Sequence, residues 1–240
     1  MKIIRDTQRN CARMAAEEYR KLLNENPHCV LGLATGSTPE MLYEELVALC
    51  KAGKLSFKDV TTYNLDEYVG LDGSHPQSYR YFMDSHLFNL VDIDKTRTHV
   101  PCGIGVTDEM AAHYDDEIKQ AGGVDLQLLG IGHDGHIGFN EPHDAFDLGT
   151  HCVDLAQETI EANKRFFDGN VDLVPKQAYT MGIRTIMQAR KVLMVVNGVG
   201  KAEIVKKAFF GPVTPEVPAS ILQLHPDFIL VADEEALSLI

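Results

Sequence analysis

The segment GIGHDGHIGFNEP, residues 130–142, combines acids and histidines with four glycines at the end of an apolar run. Its His136 carries an imidazole whose ordinary pKa of about 6.5 suits proton transfer near neutral pH. A carboxylate bonded to one ring nitrogen fixes the tautomer and leaves the other nitrogen for a substrate, and Asp134 and Glu141 are near enough in sequence to supply it. The segment therefore predicts acid–base chemistry, with an ordinary loop histidine among turn-forming acids as the alternative.

The same segment allows two other interpretations. Glycines at positions 130, 132 and 135 match the dinucleotide fingerprint G-x-G-x-x-G, but that motif opens a helix, and HIGFNEP has no helical period. A metal set would use His133, Asp134, His136 and His143, yet the cysteine pair of zinc base deaminases is missing from this sequence. We therefore expect neither a metal nor an organic cofactor.

A second motif, ATGSTPE at residues 34–40, follows an apolar run and precedes a helical pattern. Gly36 permits a tight turn, Ser37 or Thr38 can cap the helix, and Pro39 suits the first helical position. Free amides and hydroxyls at a helix N-terminus bind anions, so Thr35 to Thr38 form a candidate phosphate loop. An ordinary capped helix start is the alternative.

The helix end alone stabilises an anion by only about 0.3–1 kcal/mol, rising to about 2 when partly buried. A tightly held phosphate therefore needs charge-assisted bonds as well. Arg165 in NKRFFD and Lys201 in NGVGK are the candidates, with solvated surface cations as the alternative. The GVGK stretch lacks the spacing of a nucleotide P-loop.

The stretch NLDEY at residues 64–68 places Asp66 and Glu67 directly after a predicted strand. We expect one of the two carboxylates to face a cleft and the other to face out. A turn-forming acid is the alternative interpretation.

Composition narrows the classes of partner. The formal net charge of −13 would repel a phosphate backbone, so nucleic acid is not expected. No apolar stretch approaches the roughly 20 residues that span a bilayer, and the opening MKIIRDTQRN turns charged after two isoleucines, so we expect a cytoplasmic protein without membrane contact. Five cysteines without a C-x-x-C pair are interpreted as reduced, small core residues.

Apolar strands alternate with amphipathic helices along the chain. Strands are predicted at 29–34, 60–65, 124–132, 191–198 and 227–233, and helices at 7–24, 40–53, 107–123 and 200–210. This alternation predicts an α/β fold, with a mostly parallel sheet covered by helices on both faces, in one domain over 1–240. In such sheets a ligand lies at the carboxyl ends of the strands, where each of these polar motifs falls.

Seven stretches in order, LGLATGSTP, TYNLDEYVGL, HPQSYRYFM, LLGIGHDGHIGFNEP, NKRFFD, VPKQAYTMGI and LQLHP, resemble the glucosamine-6-phosphate deaminase family along essentially the whole chain. The resemblance implies a three-layer, modified Rossmann-like α/β fold. It implies conversion of glucosamine 6-phosphate and water to fructose 6-phosphate and ammonia, without metal or organic cofactor, in the cytoplasmic degradation of N-acetylglucosamine.

The resemblance also implies roles for individual residues. Asp66 matches the general base that moves a proton between adjacent sugar carbons, and His136 matches the residue that opens the pyranose ring. Asp134 and Glu141 would orient that histidine. The phosphate would lie on Thr35, Gly36, Ser37 and Thr38, with Arg165 and Lys201 adding charge.

Two departures from the longer hexameric members affect the expected assembly. The chain ends at Ile240, and PHDAFDLGTHCVDL after Glu141 lacks the Arg and Lys that bind an N-acetylated activator in those members. We therefore expect a short-form monomer without allosteric activation. The alternatives to deamination are a 6-phosphogluconolactonase, whose loop typically continues toward S-x-F-P, and a non-catalytic sugar-phosphate effector domain, which needs no base.

Overall fold

The computed structural model describes all residues from Met1 to Ile240. Its strands are β1 (Lys2–Asp6), β2 (Val30–Leu33), β3 (Thr61–Asn64), β4 (Asp66–Tyr68), β5 (Thr98–His99), β6 (Leu126–Leu129), β7 (His151–Asp154), β8 (Gln177–Thr180), β9 (Lys191–Val196) and β10 (Phe228–Asp233). Its α-helices are α1 (Gln8–Glu25), α2 (Ser37–Lys51), α3 (Tyr79–Met83), α4 (Asp108–Gln120), α5 (Gln157–Asn163), α6 (Ile183–Met187) and α7 (Ala202–Phe210).

Seven strands form the main sheet, in the order β1-β10-β9-β6-β2-β3-β5, and all of its pairings are parallel. Strands β2, β6 and β10 are buried along their whole length, which explains why their sequences are almost continuously apolar. The predicted class, a mostly parallel α/β sheet with helices, is confirmed.

The strand order reverses direction at the centre of the main sheet. From β2 the chain moves outward through β3 to β5, then returns to β6 on the other side of β2 and continues outward through β9 to β10, which pairs on its outer side with the N-terminal strand β1. A crevice forms outside the carboxyl ends of the strands at such a reversal. The loops after β2, β3, β6 and β9 all open at this edge and carry the predicted phosphate and acid–base motifs.

A polar side chain lies in the middle of this core. Gln127 of β6 is fully buried and pairs in register with Gly32 of β2. A side chain at position 32 would collide with the Gln127 amide, so the glycine makes room for it. The amide nitrogen donates to the Leu128 carbonyl at 2.9 Å.

A second, smaller sheet was not predicted from the sequence. Its order is β4-β8-β7, and both pairings are antiparallel. An apolar cluster of seven residues packs around it: Tyr68, Phe139, Leu155, Ile160, Phe167, Val174 and Ala178. Only Leu65 separates β3 from β4, so the chain passes from the main sheet to the small one within a single residue.

Several predicted local features are wrong in detail. The strand predicted over 124–132 ends at Leu129, and β1 was not predicted. Of the five cysteines, Cys11 and Cys29 are buried, Cys50 is half-buried, and Cys102 and Cys152 are exposed, so they are not all core residues, although all five are free thiols. No helix combines the length and apolar character required to cross a bilayer.

Candidate active site

The predicted site residues lie around one cavity of about 760 Å³ at the carboxyl edge of the main sheet. Those that line it are Thr35, Gly36, Ser37, Thr38, Asp66, Asp134, His136, Arg165 and Lys201. Glu141 is the exception, because it lies behind His136 rather than on the cavity wall. The fold therefore brings together motifs that are as many as 166 residues apart in the chain, from Thr35 to Lys201.

The candidate phosphate loop, Thr35 to Thr38, is called the anion loop from here on, and its turn depends on Gly36. This residue has φ of +106°, a backbone conformation that residues with a Cβ rarely adopt, and it is the N-cap of α2. Ser37 and Pro39 are already the first and third helical residues, so the predicted capping by Ser37 or Thr38 and the predicted first position of Pro39 are wrong. Because no side chain caps the helix, its first-turn amides are available to an anion.

Two cations face this loop across the cavity. Lys201 follows β9 in a 3₁₀ turn, and its Nζ donates to the Ile131 carbonyl at 2.7 Å. Burial lowers the pKa of Lys201 to about 8, the negative charge of Asp134 opposes that shift, and the neighbouring charge of Arg165 adds to it. Arg165 lies in a 3₁₀ turn after α5, with its guanidinium 4.7 Å from the centre of the Phe166 ring. An anion placed between the two cations would relieve their repulsion.

Asp66 is the first residue of β4, where the two sheets meet, and only 6% of it is exposed. Burial raises the pKa of Asp66 to about 8, the charge of Glu67 adds to this shift, and the charge of His136 opposes it. Such a carboxyl group can take up or release a proton near neutral pH. One of the two acids was expected to face out, but both are buried, with Glu67 on the opposite face of β4 from Asp66.

His136 is held by two carboxylates. Its Nδ1 lies 2.7 Å from Asp134 Oδ1 and 3.6 Å from Glu141 Oε2. Glu141 is in turn fixed by the Thr159 hydroxyl, which donates to it at 2.7 Å. Gly132 allows the ring this position, because a Cβ there would overlap the imidazole. With Nδ1 turned toward the acids, Nε2 is the nitrogen available to a ligand.

The pKa values of His136 and Asp134 shift in opposite directions. Burial disfavours the imidazolium, but Asp134 and Glu141 outweigh it and raise the pKa of His136 to about 9. Burial likewise disfavours the Asp134 carboxylate, yet its contacts with His136 hold its pKa well below the ordinary value. The arrangement is a protonated histidine beside an ionised aspartate, which is a proton donor directed at the cavity.

The potential metal ligands in this region differ from the set considered as an alternative in the sequence analysis. Asp134, His136 and Glu141 have ligand atoms within 4.8 Å of one another, whereas His133 and His143 do not belong to the group. Because the two carboxylates meet the histidine at Nδ1, the contacts are those of an oriented acid–base group.

Sequence reasoning missed part of the cavity wall. Pro76, Gln77, Ser78 and Tyr79 line it next to Asp66. A detectable signal was Ser78, which caps α3 by accepting from the Tyr81 amide at 3.0 Å, because a serine before an aromatic run is a helix-start signature.

This fold, with a phosphate-type loop and a buried acid–base group at one sheet edge, defines a class of enzymes that act on small phosphorylated sugars. Residues 5–230 match the model of the family described as glucosamine-6-phosphate isomerases/6-phosphogluconolactonase, and the chain belongs to that family. It is 50% identical to a glucosamine-6-phosphate deaminase of Clostridium perfringens over 99% of this chain and 98% of the relative.

The chain is more similar to a solved deaminase than to a solved lactonase of the same fold. The chain superposes on a monomeric glucosamine-6-phosphate deaminase with a TM-score of 0.96 and 40% identity, over 100% of both chains. It superposes on the 6-phosphogluconolactonase of Thermotoga maritima with a TM-score of 0.75 and 19% identity, over 97% of this chain and 99% of the other. At that identity the second match shows a shared fold alone.

We expect the His136 ring to titrate at a pH of about 9 in the folded protein, because two carboxylates stabilise its charged form. Asp134→Asn removes the nearer charge and should bring the value down toward the ordinary pKa of about 6.5. The measurement is the pH dependence of the His136 ring-proton NMR signal.

Asp144→Asn is the matched control, since it neutralises an exposed acid two residues beyond the 130–142 segment and should leave the titration unchanged. Because the folded-state pKa is raised, this group stabilises the fold fully below its unfolded pKa of about 6.5, and that contribution is lost as the pH rises through about 9. An Asp134→Asn curve identical to that of the unsubstituted protein would contradict the assigned contact.

Proposed function

We propose that the protein catalyses the isomerising deamination of glucosamine 6-phosphate, giving fructose 6-phosphate and ammonia, and that its place is in amino-sugar breakdown in the cytoplasm. One observation carries the proposal: a buried carboxyl group, Asp66, and an acid-held imidazole, His136, line the same cavity as an anion loop. Near-full-length identity of 50% to a protein named glucosamine-6-phosphate deaminase supports the choice of substrate.

The phosphate of the substrate is assigned to the Thr35–Thr38 loop. The α2 amides supply hydrogen bonds and a favourable dipole, and Arg165 and Lys201 supply full charges. Their charge-assisted bonds are worth about 1.5–3 kcal/mol each, so the two together exceed what the helix end provides alone. This set anchors the non-reacting end of the sugar and positions its ring toward Asp66 and His136.

His136 is assigned to ring opening. Opening the pyranose requires a proton on the ring oxygen and removal of a proton from the anomeric hydroxyl, which yields the aldehyde. Imidazolium Nε2 can supply the first proton, and the resulting neutral imidazole can take up the second, so the group ends in its starting state. Asp134 and Glu141 keep the ring oriented throughout this exchange.

Asp66 is assigned to the isomerisation. Its carboxylate takes the proton from C2 of the open-chain aldehyde while O1 takes up a proton from solvent, which gives an enol across C1 and C2, and the carboxyl group then returns its proton to C1. The nitrogen at C2 becomes an iminium ion, water adds to C2, and ammonia leaves to give the ketone, which returns one proton to solvent. The carboxyl group must be ionised to begin, so kcat/KM should rise as the pH passes through about 8, the pKa of Asp66 in the free protein.

Two alternative functions would leave Asp66, or both Asp66 and His136, without a role. A sugar-phosphate effector domain needs no proton-transfer group, whereas both Asp66 and His136 have strongly shifted pKa values inside the cavity. A 6-phosphogluconolactonase hydrolyses an ester and has no proton to move between adjacent carbons, so it gives Asp66 no role. The lactonase structures share this fold at 19% identity or less.

The function is tested by measuring ammonia release from glucosamine 6-phosphate by metal-free purified protein, beside hydrolysis of 6-phosphogluconolactone. We expect ammonia release and no lactone hydrolysis above background. Asp66→Asn removes the proton shuttle and preserves the side-chain shape, so kcat should fall by well over tenfold while inorganic phosphate still inhibits competitively. A variant within about tenfold of the unsubstituted rate, a barrier difference of ~1.4 kcal/mol, would exclude Asp66 as the base.

Lys201→Met should raise KM for glucosamine 6-phosphate by about 10- to 100-fold, because one charge-assisted phosphate bond is lost. Lys206→Met is the matched control, since Lys206 is an exposed lysine of the adjoining helix α7, and its KM should stay at the unsubstituted value. Steady-state kinetics of the two variants make the comparison. Equal KM values would remove Lys201 from the phosphate site.

We also propose that the enzyme works as a monomer without an activator. Residues 142–155 contain no Arg or Lys, and the matching deaminase of known structure is described as monomeric. Analytical ultracentrifugation should give one species near 26.6 kDa. The rate should depend hyperbolically on substrate and be unchanged by N-acetylglucosamine 6-phosphate. A sigmoidal curve made hyperbolic by that compound would contradict this proposal.

A further inference from the structure

Strand β4 carries two consecutive acids on opposite faces. Asp66 lines the proposed active-site cavity, while Glu67 lines a separate cavity of about 440 Å³. Only 2% of Glu67 is exposed, and the proposed reaction does not use it. A buried carboxylate in this position requires an explanation, because removing an ionised group from water is costly unless it is well paired.

The partners of Glu67 are backbone amides. Its Oε1 accepts from the amides of Tyr68 and Tyr79, both at 2.9 Å, and its Oε2 accepts from the amide of Arg80 at 3.1 Å. Tyr68 belongs to β4, whereas Tyr79 and Arg80 begin α3. One side chain therefore joins the strand that carries Asp66 to the first turn of a helix twelve residues further along the chain.

The joined helix start forms part of the active-site wall. Tyr79 lines the cavity, and its ring stacks on Phe139 with a centroid distance of 6.1 Å and an interplanar angle of 3°. The same ring lies 4.9 Å from the Tyr68 ring on β4. Phe139 belongs to the 130–142 segment that also carries His136, so this aromatic group connects the elements that bear the proposed acid and base.

We propose that Glu67 is a positioning residue for Asp66, since its carboxylate joins β4 to the first turn of α3 and so fixes where the base stands against the substrate. This inference rests on the proposed function, because it assigns Glu67 to the same reaction. Glu67 does not line the substrate cavity and acts only through its neighbours.

The negative charge of Glu67 also affects the pKa of Asp66. Asp66 interacts with the charges of Glu67 and His136, and the phenol groups of Tyr43, Tyr68, Tyr79 and Tyr114 also surround it. Glu67 is the carboxylate in this set, and its negative charge adds to burial in raising the pKa of Asp66.

Glu67→Gln tests the electrostatic part, because it keeps the shape of the side chain and removes the charge. The acid limb of kcat/KM should move to lower pH by about one pH unit, because Asp66 loses the adjacent like charge. Asp72→Asn is the matched control, since it neutralises an exposed acid of the loop between β4 and α3 and should leave the limb in place. A Glu67→Gln limb that coincides with the unsubstituted one overturns the electrostatic part.

Glu67→Asp tests the positioning part and carries the proposal if Glu67→Gln does not fold. It keeps the charge but is one methylene shorter, so it cannot reach both β4 and the α3 amides. We expect the acid limb to stay in place, kcat to fall by about tenfold or more, and competitive inhibition by inorganic phosphate to be unchanged. An unchanged kcat would show that the link does not position the base.

A measurement that does not require turnover distinguishes failure of this inference from failure of the proposed function. If the unsubstituted protein releases no ammonia, the proposed function fails. The effect of Glu67 is then measured by the ¹³C NMR titration of the Asp66 carboxyl group, assigned by its absence in Asp66→Asn. A lower Asp66 pKa in Glu67→Gln supports the effect of Glu67 on Asp66 in either case, and an identical titration refutes it.

Discussion

The rest of the site depends on the burial of two titratable groups, the Asp66 carboxyl group and the His136 imidazole, in the wall of one cavity. In water their ordinary pKa values are 3.8 and 6.5, but in the fold the pKa of Asp66 is about 8 and that of His136 about 9. Loss of solvent raises the first, and two contacting carboxylates raise the second against the effect of burial. The two groups thereby have neighbouring pKa values, which suits the proposed roles of Asp66 as base and of His136 as acid.

Such a site demands close approach of backbone and side chains, and this accounts for Gly132 in the 130–142 segment and for Gly36 at the start of α2. At Gly132 any side chain would occupy the space of the His136 ring, so the imidazole could not remain against Asp134. At Gly36 the positive φ starts α2 without a capping side chain and leaves its amides to an anion. Gly132 is therefore required for the space that it leaves, whereas Gly36 is required for its positive φ.

How far the sequence predicts this site depends on the range of the interactions. Gly36, Asp134 and His136 could be placed from local patterns, because strand ends and turn residues are encoded within a few positions. The orientation of Glu67 could not, since it is decided by the amides of Tyr79 and Arg80 in a different element. The β4-β8-β7 sheet was missed for a similar reason: β4 has only three residues and depends on pairing with residues more than a hundred positions away.

The two sheets contribute differently to the site, and this explains how one fold supports several reactions. The main parallel sheet positions the proposed phosphate-binding residues, which are the Thr35–Thr38 loop and Lys201. Asp66 lies instead at the first position of the small antiparallel sheet, opposite Thr180 of β8. A relative could keep the phosphate end of the cavity and change its chemistry by altering this junction alone. The lactonase match extends over 97% of this chain and shows a shared fold, so the fold alone does not distinguish the two reactions and individual side chains must do so.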